Sequence, residues 1–177
     1  MKPLGLLLGA MLIAAPAAAQ ESRPTVSLQP GDAAIVQITR QGGEGSVEQG
    51  GARWNPHDLA VARHMVGQPI PDAPVETAEH LPGDGMPPAP PVAPNRISLR
   101  FHSIAGRHSL LILENGYDHA IVYRARMLRD GREGSTDVCL VMPNRRGYEH
   151  WPHPIDRLDL SDFSVAEWRE GEPIPCR

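Results

Sequence analysis

Nine prolines fall between residues 68 and 95. Each lacks an amide hydrogen and holds φ near one value, so this stretch supports neither a helix nor an interior ladder. It reads as an extended, polyproline-like linker at 68–95 that separates residues 20–67 from residues 96–177. A PxxP-type ligand role is open to such a tract, but a plain spacer is the preferred reading, since many proline-rich tracts are linkers. With 19 prolines and 17 glycines in 177 residues, the chain is a poor candidate for a long helical bundle. A hydrophobic content of 41% still supplies a core and argues against disorder throughout.

Residues 1–19 have the form of a secretory signal. Lys2 gives a short positive start, Leu4 to Ile13 an apolar run, and Ala17 and Ala19 a small-x-small site, so cleavage is expected after Ala19. The apolar run is about half the roughly 20 residues needed to span a bilayer. No other segment is apolar enough, so no membrane span is expected after cleavage, and the location is expected to be periplasmic or secreted. Lys2 is the only lysine, which leaves the mature chain without lysine-dependent chemistry. The formal net charge of −4 becomes one unit more negative on its loss, and this argues against a nucleic-acid partner. In an oxidising compartment Cys139 and Cys176 most simply form one disulfide.

The pattern along the chain is mainly β with one short N-terminal helix. Thr25–Leu28 and Ala33–Ile38 are extended segments around a Pro30-Gly31-Asp32 turn. Residues 55–66 make the best helix, with Asn55 as N-cap, Pro56 at N1, Asp58 in the first turn and Gly67 to end it. Beyond the linker, Ile97, Leu99 and Phe101 alternate with polar residues. Leu110–Leu113 is apolar on both faces, as a central strand would be, and Asn115-Gly116 signals a hairpin. Residues 119–128, 136–142 and 156–165 are further extended runs, with a turn at Asp130-Gly131. Short strands at this spacing predict a small antiparallel β-sandwich over 96–177, immunoglobulin-like by architectural analogy only.

Leu113-Glu114-Asn115-Gly116-Tyr117, Tyr123-Arg124-Ala125, Cys139 to Pro143 and Glu149-His150-Trp151-Pro152 together resemble uncharacterised secreted or periplasmic proteins of alphaproteobacteria over about the last 80 residues. The resemblance implies the compartment and a shared fold, and it brings no assigned activity or site.

The residues offer no assembled catalytic set. A Gly-x-Ser-x-Gly elbow is missing, and a disulfide-bonded Cys139 is no nucleophile. Asp156, Asp159 and Asp162 recur at spacing three but read as solvated acids, and Arg124, Arg126 and Arg129 as cross-strand ion-pair partners. The expected function is therefore a non-enzymatic binding module of the cell envelope, with another envelope protein as partner and no cofactor. Arg145, Arg146, Tyr148 and Trp151, read as a loop, are the candidate binding residues, with Tyr148 and Trp151 equally readable as structural anchors. The alternative is a metal-binding protein or metal-dependent enzyme using His150 and His153 with one of His102, His108 or His119. Pro152 and Pro154 exclude a helix there. On an extended chain, histidines three apart lie about 9 Å apart along the axis, too far for one zinc.

Overall fold

The computed structural model describes residues 25–39, 47–67 and 86–176. The signal segment 1–19 and residues 68–85 of the proline-rich stretch lie outside these. The described residues form nine strands and one helix. They are β1 (Val26–Leu28), β2 (Asp32–Val36), β3 (Val47–Gly51), α1 (Pro56–Val66), β4 (Ile97–Ile104), β5 (His108–Asn115), β6 (Ala120–Arg129), β7 (Arg132–Thr136), β8 (Arg145–Trp151) and β9 (Arg157–Ala166).

Two antiparallel sheets face each other, one ordered β1-β9-β6-β7 and the other β3-β2-β4-β5-β8. The small β-sandwich read from the sequence is the fold. Alternation explains it: Ile97, Leu99, Phe101, Leu111 and Leu113 point inward and meet Val26, Leu28, Ile121, Tyr123, Leu158, Leu160 and Phe163 from the other sheet. Tyr123 and Phe163 stack with ring centroids 5.7 Å apart.

The sandwich does not begin at residue 96. β1 pairs with β9 and β2 with β4, so strands from the N-terminal part belong to both sheets. Such pairing joins residues far apart in sequence, which is why strand pattern alone does not reveal it. The described end of the proline-rich stretch also packs against the domain. His57 Nδ1 donates to the Pro87 carbonyl (2.7 Å), and the Asn95 amide donates to the Gly116 carbonyl (2.8 Å).

The segment 145–151 is an edge strand rather than a loop. It pairs with β5 along its whole length and stops just before Pro152, where no further ladder donor is needed. Asn115-Gly116 does not close a hairpin either: β5 and β6 lie in different sheets, and the chain crosses between them here. Buried Asn115 is spent on that crossing, donating to the carbonyls of His119, Val141 and Met142 while accepting from the Tyr117 amide. The tight hairpin is instead β6–β7, where Asp130 and Gly131 both have positive φ.

The helix follows its sequence signals. Asn55 accepts from the Asp58 amide, and Gly67 adopts the left-handed C-cap. Leu59 and Ala62 then pack on Ile104, Leu110 and Ile112 across the outer face of β4 and β5. This buries β5 on both faces, covered by the core on one side and largely by α1 on the other.

Cys139 and Cys176 are bonded, closing a 37-residue span, and the Leu140 amide donates to the Pro175 carbonyl beside them (2.9 Å). By the chain-entropy relation a closure of this length stabilises by about 4 kcal/mol.

Candidate functional site

Strand alternation places Arg100, His102, Glu114, Arg146, Tyr148 and His150 on the outer face of the five-stranded sheet, the face that α1 partly covers. At its centre lies a cluster of charges. Asp58, fully buried, accepts from Arg100 Nη2 at 2.5 Å and from the Tyr148 hydroxyl at 2.9 Å. Arg100 also donates to Glu114 Oε1 (2.9 Å), and Arg146 reaches the same oxygen through Nη2 (2.8 Å). Two carboxylates and two guanidiniums thus neutralise each other beneath the helix. Burial and the Asp58 charge raise the Tyr148 phenol above its ordinary range. A hydroxyl held this way donates one hydrogen bond and is a poor proton carrier.

The four residues first expected to bind a partner therefore have different fates. Arg145 is exposed. Arg146 and Tyr148 are held in the charge cluster. Trp151 is 7% exposed and turns into the core, where its Nε1 donates to Thr136 Oγ1 (2.9 Å). The sequence marks Asp58 only as a first-turn helix acid and Glu114 only as a possible ligand beside His102 and His108, and it does not single out Arg100. Their only signal was the polar side of an alternating strand and an acid in the first helical turn.

The histidines also separate. His102 is buried under Trp54, with ring centroids 3.9 Å apart and planes 19° apart, and its Nε2 has no hydrogen-bond partner among the described residues. His150 meets His108, not His153, with His108 Nδ1 and His150 Nε2 3.1 Å apart. His153 contacts the Pro154 carbonyl next to it in the chain. His119 stands at the end of the sandwich, bonded to Asp118 Oδ1 (2.8 Å) and stacked on Tyr117, beside a depression of about 370 Å³. Among the described residues no group of three His, Cys, Asp or Glu side chains is placed to hold a metal ion.

Burial, reinforced by the neighbouring Arg100, lowers the His102 pKa to about 4. An unfolded histidine titrates near 6.5. Between these values the unfolded chain binds more protons than the folded one. The stability associated with neutral His102 is therefore complete above pH 6.5 and is lost as pH falls to about 4, a change of about 3 kcal/mol. Urea unfolding at pH 7 and pH 4 checks this. His102→Phe, which keeps the stack on Trp54, is expected to flatten the pH dependence by that amount. An unchanged pH slope in the variant would contradict the assignment.

On the inner side of β8, Glu149 Oε1 accepts from the Cys139 amide (2.7 Å). Burial raises the pKa of its carboxyl, and burial, followed by the neighbouring Glu149 charge, raises that of the Tyr123 phenol as well. This pair lies under the disulfide-linked segment.

Among the described residues, an open groove of about 270 Å³ lies on the outer face between β4 and the edge strand β3. Its lining includes Ala33, Ile35, Gly50 and Ser98, with Glu48 and Arg100 as charged members. Comparison with family models, with curated proteins and with solved structures found no match.

Proposed function

We propose that this chain is a non-enzymatic periplasmic or secreted binding module that takes up an extended segment of another envelope protein by strand addition at β3. The observation that carries this reading is the β3 edge itself, all five residues of which are exposed. The Ala52 amide donates to the Gly31 carbonyl at 2.7 Å. With the two-residue period of an antiparallel pair, the amides of residues 48 and 50 then face β2, and those of Val47, Gln49 and Gly51 face outward. Strand addition draws affinity from such a row of main-chain groups and specificity from pockets for alternate side chains. The groove beside Gly50 supplies the pocket. Its floor of small side chains suits a medium apolar residue, and Glu48 suits a basic neighbour. At the opposite edge, Arg146 and Tyr148 on the outer face of β8 are already engaged by Asp58 and Glu114.

Selection of a random heptapeptide display library on the mature chain tests the reading. Selected peptides are expected to be extended, with alternating apolar and basic residues. Gln49→Pro removes one outward amide at an edge position where proline is tolerated. It is expected to weaken these peptides about tenfold, the worth of one main-chain hydrogen bond. Gln49→Ala, which keeps the amide, is expected to bind as the parent does. A library that yields no binder, or binders indifferent to Gln49→Pro, would overturn the proposal.

A further inference from the structure

Beyond the peptide edge, the opposite end of the same face carries a second site. We infer that His108 and His150 form a two-imidazole chelate for a borderline divalent ion, with Cu(II) preferred over Zn(II). The two side chains come from different strands. His150 stands opposite Leu110, so His108 is its diagonal neighbour two residues along β5 on the same sheet face. The ladder fixes the backbones, and the two nitrogens that approach each other, His108 Nδ1 and His150 Nε2, are 3.1 Å apart. Two ligand bonds of about 2.0–2.1 Å meeting at 90–109° place their nitrogens about 2.9–3.4 Å apart. The pair is thus spaced for two adjacent positions on one ion. The rings lie 21° from parallel with centroids 5.2 Å apart, so they are offset rather than closed face to face.

Without an ion, one of the two nitrogens must carry the hydrogen that joins the rings. With an ion, both lone pairs point at it and the hydrogens sit on His108 Nε2 and His150 Nδ1, a tautomer shift in one ring with no net change of charge on the protein. Both side chains are only partly buried, so the remaining positions face solvent and accept water or a donor from a partner. Imidazole ligands with open positions suit tetragonal Cu(II), which also binds more tightly than Zn(II) to a given nitrogen set.

The experiment is titration of the tag-free mature protein with copper(II) chloride, followed by calorimetry and by electron paramagnetic resonance. One copper per chain is expected, with a spectrum showing coupling to two imidazole nitrogens. His108→Gln and His150→Gln are each expected to weaken binding more than about tenfold, the lower bound set by losses of mere ligand-orienting partners. His153→Gln is expected to leave it unchanged. Should His150→Gln fail to fold, His108→Gln, at the start of β5, and the two-nitrogen signature of the parent still decide the matter. Copper affinity indifferent to His108→Gln, or a spectrum with a single imidazole, would overturn the inference. Because the peptide edge lies three strands away from β5, failure at either site leaves the other standing.

Discussion

Asp58→Ala is expected to destabilise the fold by about 3–5 kcal/mol, the range for removing one partner of a buried ion pair. Asp58 is fully buried, and it receives hydrogen bonds from Arg100, Tyr148 and Asn55. Its loss leaves Arg100 and Arg146 sharing Glu114 alone, so an excess positive charge remains beneath α1. The Tyr148 hydroxyl loses its acceptor as well. The apolar contact that holds the helix down is small, chiefly Leu59 and Ala62 on Ile104, Leu110 and Ile112. Part of the loss is therefore expected as undocking of α1, visible as faster hydrogen exchange on the outer face of β5. Asp58→Asn, which keeps the shape and one acceptor oxygen, should fall between the parent and Asp58→Ala. Urea unfolding measures both. A loss below about 1 kcal/mol for Asp58→Ala would mean that the cluster does not anchor the helix.

Gly116→Ala is expected to cost about 3 kcal/mol or more, although it adds a single methyl group. A Cβ built on Gly116 would lie 1.8 Å from the Ala93 carbonyl oxygen and 2.9 Å from that of Arg96. Both obstacles are backbone, so no side chain can swing aside. The Gly116 amide donates to the Arg96 carbonyl (2.9 Å), and its own carbonyl accepts from Asn95. Relieving the clash means pulling the 93–96 segment away and breaking both bonds, each worth about 1 kcal/mol, with an overpacking cost of about 1–3 kcal/mol besides. Gly134→Ala is the control, since nothing lies within 4 Å of its Cβ. It is expected to stay within about 0.5 kcal/mol of the parent. Equal thermal stability for the two variants would contradict the argument.

The features legible in the sequence were those whose cause is local. The α1 caps sit within the helix's own ends, and the Asp130-Gly131 turn needs only two residues with positive φ. The apolar run Leu110–Leu113 announced a strand covered on both sides, though not by what. The disulfide followed from counting two cysteines and expecting an oxidising compartment. Features made by distant partners were hidden. β8 carries Arg146, Tyr148 and His150 on one face because Asp58, Glu114 and His108 await them there, and none of those partners is near in sequence. Read alone, that polar face looks like a loop. The Asn115-Gly116 pair misled for a similar reason: its hairpin chemistry is overridden by carbonyls from residues 141 and 142 and by the 93–96 segment. Distance along the chain also decided the histidine pairing: the sequence places His150 beside His153 and leaves His102, His108 and His119 as equal third candidates, while the sheet places His150 beside His108.

The position of β9 has a temporal consequence. It lies between β1 and β6 in its sheet, yet it is the ninth strand in chain order. During synthesis β1 emerges early and waits for a partner more than 120 residues downstream, since Val26 pairs with Leu160. The β4–β5 and β6–β7 hairpins join strands adjacent in the chain, but nothing links β1 to β6 in the four-stranded sheet until residues 157–166 are present. Until then, Leu158, Leu160 and Phe163 are missing from between the inward side chains of β1 and β6, and the core facing the five-stranded sheet is incomplete. A polypeptide halted before Arg157 would therefore lack the strand that both β1 and β6 pair with, and would leave that part of the core open rather than form a smaller version of the domain.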